Sequence, residues 1–365
     1  MKLITILFNL FILLTPGGGP NKTKVPKYTI KNHGSITAIG DTVNSTGNNI
    51  MTIYQDKKNI YWFGSWVNGL YRYDGVNVLH FTQKDGLPGN RIEEIKEDQS
   101  GNIYINTNNG ICKYDGRSFI SLSEAFPVGN GWNLLPTDLW FKSPQHPGHV
   151  YRYSGKLLYR LKLPKITPGE EFVNKHPTAP SPYLVYCIYQ DSRRNVWFGT
   201  AALGACRYNG TSFGWILEED VTELHDGPSN GVRSIIEDKD GYFWFNSNYR
   251  YVVYDHPTIR QKNVKSNPFY RRIQGIGNLD GKKDSNLGEY LSIAKDKSNH
   301  LWIATYKNGV WKVDGKITKN YIVGDGSKEI TLFYIYKDKQ GKLWLGTHEN
   351  GVFTFNGNDF EKFKP

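Results

Sequence analysis

YWFGSWVNGLYRYDG, residues 61–75, returns along the chain as VWFGTAALGACRYNG (196–210), LWIATYKNGVWKVDG (301–315) and LWLGTHENGVFTFNG (343–357). Looser copies are IYINTNNGICKYDG (103–116), LWFKSPQHPGHVYRYSG (139–155) and FWFNSNYRYVVYD (243–255). The seven copies are anchored at Trp62, Tyr104, Trp140, Trp197, Trp244, Trp302 and Trp344. Six of them carry an aspartate six residues ahead of the anchor: Asp56, Asp98, Asp191, Asp238, Asp296 and Asp338. Self-similarity at a period of this length marks an array of one supersecondary unit.

Each unit opens on an alternating run such as Ile50-Met51-Thr52-Ile53-Tyr54, the period-two pattern of a strand. An Asp-led turn follows, clearest in Asp98-Gln99-Ser100-Gly101-Asn102, where the carboxylate closes an Asx turn and Gly or Asn takes positive φ. The anchor strand comes next, then a short loop ending in glycine. A third strand ends in Asp-Gly or Asn-Gly, as at Asp74-Gly75 and Asn356-Gly357, the hairpin signal that leads to a fourth strand. Four antiparallel strands with no helical period are one propeller blade, so the chain is expected to be an all-β, seven-bladed β-propeller over about residues 28–365. The anchors are expected to fill the gaps between blades, and the repeated aspartates to cap turns rather than bind metal. Blade three is the poorest copy: Asp138 stands only two residues ahead of Trp140, and Pro144-Gln145-His146-Pro147 lengthens its loop. The connectors 157–182 and 256–289, rich in Pro, Lys and Asn, are expected as long loops on one face that form a rim around the axial opening. A strand at Tyr28-Thr29-Ile30 or one at Phe360 to Phe363 supplies the closing edge; the sequence leaves both open.

Met1-Lys2 followed by the apolar run Leu3 to Leu14 reads as a signal-peptide core, with Pro16 to Pro20 at its boundary, so residues 1–20 are expected to be removed. No later stretch approaches the ~18 apolar residues of a membrane helix. A periplasmic or secreted location follows. Three cysteines make no disulfide framework, and without CxxC or paired histidines no metal or other cofactor is expected. The net charge of +11 is scattered over all blades, so it speaks for solubility or for anionic envelope surfaces and glycans rather than nucleic acid.

The pattern [IV]-x-x-I-x-x-D-x-x-G-N-[IL]-W-[IF]-G-T-x-x-x-G-[LV]-x-[RK]-[YF]-[DN]-G resembles the two-component regulator propeller repeat. The linker Thr82 to Asn90 resembles the connector of that family, and the resemblance runs from residue 50 to 363. It implies an extracytoplasmic ligand-binding propeller like the sensor part of histidine kinases that detect glycan fragments. This sequence carries one propeller and no kinase or DNA-binding segment after it, so a separate membrane sensor or envelope protein is the expected signalling partner of a monomer.

Propeller ligands sit at the mouth of the axial channel. Strand starts place Asn90, Arg91, Trp132, Asn230, Arg233 and Tyr290 there, and second-to-third-strand loops place Trp66, Tyr249, Arg250, Tyr306, Lys307 and His348. Such side chains stack on sugar faces and hydrogen-bond hydroxyls or carboxylates, which points to a glycan or small polar ligand. The structural alternative is that the asparagines cap backbone and the cations are merely solvated. No HExxH or P-loop is present, and His348 beside Glu349 is the candidate acid–base pair. A lyase or hydrolase acting at the same mouth, like the propellers of streptogramin lyase and some polysaccharide lyases, is the alternative to pure binding.

Overall fold

The computed structural model describes residues 37–127, 129, 131–221, 231–245, 249–254, 269–273, 290–314, 318–324 and 330–365. These form a seven-bladed β-propeller of four-stranded sheets, almost entirely β. Blade 1 runs Ile50–Gln55, Tyr61–Ser65, Leu70–Tyr73 and Val78–Phe81; blade 4 repeats it as Val185–Gln190, Val196–Thr200, Ala205–Tyr208 and Phe213–Ile216. Each hairpin pairs antiparallel with its neighbour in register, and a one-residue bulge recurs in the innermost strand, as between Val185 and Cys187.

The repeated aspartate does two jobs. In blade 4 one oxygen of Asp191 accepts the N–H groups of Arg193 and Asn195, closing the turn. The other accepts the Trp197 indole N–H at 2.9 Å. The same carboxylate-to-indole bond joins Asp56 to Trp62, Asp238 to Trp244, Asp296 to Trp302 and Asp338 to Trp344; in blade 2 the Tyr104 hydroxyl replaces the indole on Asp98. The turn function was legible in the sequence, whereas the indole bond was not. A large aromatic can be fully buried here because its single polar atom is satisfied from its own hairpin.

Every anchor packs into the following blade. Trp62 meets Ile95 and Ile105; Tyr104 meets Phe141 and Tyr153; Trp140 meets Phe198; Trp197 meets Phe243; Trp244 meets Ile303; Trp302 meets Leu345; and Trp344 meets Ile53 and Phe63 of blade 1. Cys112 and Cys206, at the repeat position that holds Tyr71, Trp311 and Phe353 in other blades, are buried in these layers, and all three cysteines are free.

Ring closure takes the C-terminal option. Phe360–Lys362 is the outer strand of blade 7, so that blade is built entirely from residues 332–362. Asp41–Val43 adds a fifth strand to the outside of blade 1, and Tyr28 to Ile30 and the signal-peptide segment lie outside the described residues.

Two expectations need correction. Blade 3 keeps Leu139–Lys142, His149–Tyr153 and Leu158–Lys162 but has no strand over residues 131–137; its fourth strand, Glu124–Ala125, is added on the outside and runs parallel to its neighbour. The anchor strand is therefore innermost in this blade. Connector 157–182 is not a structureless rim either: after the outer strand, Thr167–Lys175 forms a helix, with the Tyr183 hydroxyl bonded to both the N–H and C=O of Ile166. Pro168 sits in the first turn of this helix, where its missing N–H costs nothing. Of connector 256–289, only the strand Tyr270–Ile273 and its neighbour Phe269 lie within the described residues.

Candidate functional site

The displaced blade shapes the axis. Two positions after the anchor, the repeats hold Gly64, Gly199, Ala304 and Gly346, whereas blade 2 has Asn106 and blade 3 has Lys142. A Cβ on Gly64 would run into Ile92, one on Gly199 into the Val232 carbonyl, and one on Gly346 into the Ile50 carbonyl, each at the start of the next blade's innermost strand. In these three blades the approach of that strand leaves no room for a side chain. Asn106 faces blade 3, which brings no such strand, and its carboxamide instead donates to the Lys142 carbonyl at 3.0 Å and to Glu94 at 2.9 Å. Glu94 accepts the Lys142 N–H at 2.6 Å. Two side chains of blade 2 thus close the edge that a strand closes elsewhere.

The axial cavity beside this edge has a volume of about 820 Å³. Inner strands of six blades line it, with Lys142 and Pro144 supplied by blade 3. Trp66, Arg91, Arg233 and Tyr306, four of the residues read from the sequence as mouth residues, are on its wall. The Arg91 guanidinium lies 3.4 Å from the centre of the Trp66 ring, and Arg233 lies 4.2 Å from that of Tyr186. Arg91 is 38% exposed, and its Nε donates at 2.6 Å to Glu93, a carboxylate only 6% exposed. Lys142 Nζ reaches the other Glu93 oxygen at 3.3 Å. Lys96 and Glu94 complete this wall as a looser pair at 3.7 Å.

The other sequence candidates take different places. The Asn90 side chain accepts the Gln83 N–H and its carbonyl accepts that of Gly69, so it fastens its connector. Trp132 is buried between blades 3 and 4, against Trp140, Phe198 and Phe213, because the strand expected at its position is absent. Tyr249 lies under Arg272 in the core between blades 4 and 5, and Arg250 lies over Tyr242. Lys307 leans toward the Tyr306 ring at 5.9 Å. Tyr290 opens the innermost strand of blade 6, and Asn230 falls outside the described residues. His348 stands one layer back, edge-on to the cavity residue Phe333, and its partner Glu349, 3.5 Å away, is 80% exposed. Neither member of that pair is on the cavity wall. Two titratable groups that are, Cys187 and Tyr334, are both pushed up to about 12 by burial and stay protonated at neutral pH. The Cys187 thiol is thereby kept from acting as a nucleophile.

Lys142, Glu93 and Tyr186 were missed from sequence. The signal for Lys142 was the loss of the small residue two places after the anchor, in the blade already marked as the poorest copy.

Four segments, residues 44–67, 180–202, 226–249 and 325–349, match the model of the two component regulator propeller. Those four segments carry the two component regulator propeller repeat. Its structure is similar to the extracellular domain of a one component system from B. thetaiotaomicron, with TM-score 0.53, 20% identity, and 86% of this chain and 40% of that one covered. It is equally similar, with TM-score 0.53, to the extracellular domain of a hybrid two component system from the same organism, at 18% identity over 87% of this chain and 40% of that one. The regulator propeller therefore spans about 40% of the length of both. A streptogramin B lyase superposes with TM-score 0.56 at 14% identity, covering 84% and 94%. At these identities the likeness establishes the fold alone. No curated protein matches the chain by sequence. Among the described residues no helix is long and apolar enough to cross a membrane.

Proposed function

We propose that this regulator propeller is an extracytoplasmic binding module that recognises a glycan or another polar ligand at the mouth of its axial cavity. The observation that carries the reading is the Trp66–Arg91 stack on the cavity wall. An indole offers a flat apolar face to a sugar ring, and an arginine locked against it presents donors in a fixed plane. Arg233 on Tyr186 repeats the device on another blade, and half-exposed Tyr306 adds a third aromatic. A largely pre-formed concave site with a few convergent polar groups is the usual form of a ligand pocket. Likeness to extracellular sensor domains supports an exported location and a membrane sensor or envelope protein as the receiver of the signal.

A glycan array followed by calorimetry on the chain tests this. Arg91→Ala should weaken the bound saccharide by about 1.5–3 kcal/mol, the scale of a charged hydrogen bond. Trp66→Ala should cost about 1–3 kcal/mol, by analogy with base stacking on aromatics. Saccharide binding unchanged in both variants moves the site off this wall. The absence of any saccharide binding removes the glycan reading.

A further inference from the structure

We infer that the wall formed by blades 2 and 3 is an anion subsite, in which Arg91 and Lys142 clasp a carboxylate, sulfate or phosphate group of the ligand and buried Glu93 positions both. The inference rests on the axial cavity being the ligand site, and it adds the charge that the ligand must carry.

Glu93 is nearly sealed from water, and each of its oxygens is used once, by Arg91 Nε and by Lys142 Nζ. A sealed carboxylate with two cations is a strong local constraint, because either cation, once removed, leaves it under-compensated in a poorly solvated place. Each cation keeps donors in hand. Among the described residues nothing bonds the two terminal nitrogens of Arg91, which is held by Nε and by Trp66 alone. Those two nitrogens form the fork that grips a planar oxyanion in a bidentate way. Lys142 brings a second cation to Glu93, at the other carboxylate oxygen, and spends one contact there. With Arg91, Lys96 and Lys142 against Glu93 and Glu94, the wall carries one net positive charge, and Arg233 adds another to the cavity lining.

Blade 3 makes this arrangement available. In blades 1, 4 and 7 the position of Lys142 is a glycine packed under the next blade's inner strand, where a lysine has no room. Among the described residues, that position reaches the axial cavity only in blade 3, where the anchor strand is itself innermost. The lysine is thus coupled to the missing strand, and the distorted copy of the repeat supplies a charge the regular copies exclude.

The test is calorimetry on the full chain with uronic-acid oligosaccharides, their carboxyl-reduced neutral counterparts and inorganic sulfate as probes. Acidic oligosaccharides should bind at least about tenfold more tightly than the reduced ones, the scale of one charged hydrogen bond. Lys142→Met, which keeps the apolar stem, should erase most of that preference, and Arg91→Lys, which keeps the charge but not the fork, should erase part of it. Melting curves check that both variants fold. Equal binding of acidic and reduced oligosaccharides, or a preference untouched by both substitutions, overturns the subsite and leaves the glycan reading standing. Sulfate binding that needs Lys142, with no oligosaccharide bound, supports the subsite and overturns the glycan reading. If no probe binds, both fall.

Discussion

Blades 3 and 4 are neighbours built from the same repeat, and they have solved the same packing problem differently. In blade 4 Asp191 serves turn and indole together, and Gly199 lets the next inner strand close on it. In blade 3 no aspartate stands six residues ahead of the anchor, and the Trp140 indole N–H is buried with no partner. Asp138 serves Arg152 instead, at 2.7 Å with both side chains almost completely buried. Blade 4 is thus held by a neutral donor on a charged cap, blade 3 by an internal ion pair and side chains borrowed from blade 2. Repeats that keep their rule build the wall of the ring; the repeat that breaks it lends the axis a cation.

That contrast is open to attack at its strongest point first. Asp138→Ala strands the Arg152 guanidinium in the core and should cost about 3–5 kcal/mol, as breaking one side of a buried ion pair does. Chemical denaturation measures it, and a loss below 1 kcal/mol would mean the pair does not hold blade 3. Asp191→Asn places an amide where four donors converge, from Arg193, Asn195 and Trp197, and should cost about 1–3 kcal/mol. The same denaturation series decides whether cap and indole act as one unit. Gly199→Ala should cost about 1–3 kcal/mol through overpacking against blade 5, while Lys142→Arg, larger but still cationic and on the open side, should stay within about 1 kcal/mol of the parent. Equal costs at the two positions erase the difference drawn between the blades.

The smallest effect concerns acid. Burial alone would raise the Asp98 carboxyl, but the bonds from Asn102, Tyr104 and Ser100 outweigh it and hold its pKa below the ordinary 3.8. A folded pKa below the unfolded one contributes stability that is present above the unfolded value and lost as pH falls through the folded one. Asp98→Asn should therefore flatten the fall in melting temperature below about pH 4. An acid limb as steep as the parent's would show that Asp98 does not drive it.

Blade number, anchor burial and the aspartate turns were legible because each is written inside a single repeat, in strand alternation and fixed spacing. Trp66 and Arg91 were legible for the same reason, since the register places them on adjoining blades. Trp132 was misplaced because its register assumed an inner strand that blade 3 lacks, and without that strand the ring turns inward onto Trp140. The Glu93 clasp was invisible because its partners come from two blades, with sequence separations of two and 49 residues. Nothing in either local pattern announces the other.

The way the ring closes has a kinetic meaning. Among the described residues no strand of blade 7 is lent by a distant segment, so the sheets of the regular blades form between residues close in sequence, a topology that favours rapid assembly. What remains is the seam between the last blade and the first. There Tyr61 bonds Asp338, Gln55 bonds Gln340 and the Lys339 N–H, and Trp344 packs on Tyr61 across separations of 277 to 285 residues. Those contacts bear the loop-closure entropy of the whole circle, and among the described residues no shared strand clasps them. The propeller is a bracelet with a press-stud fastening: its beads form early, the stud snaps last, and a pull on the ring should part it first at Tyr61 and Trp344.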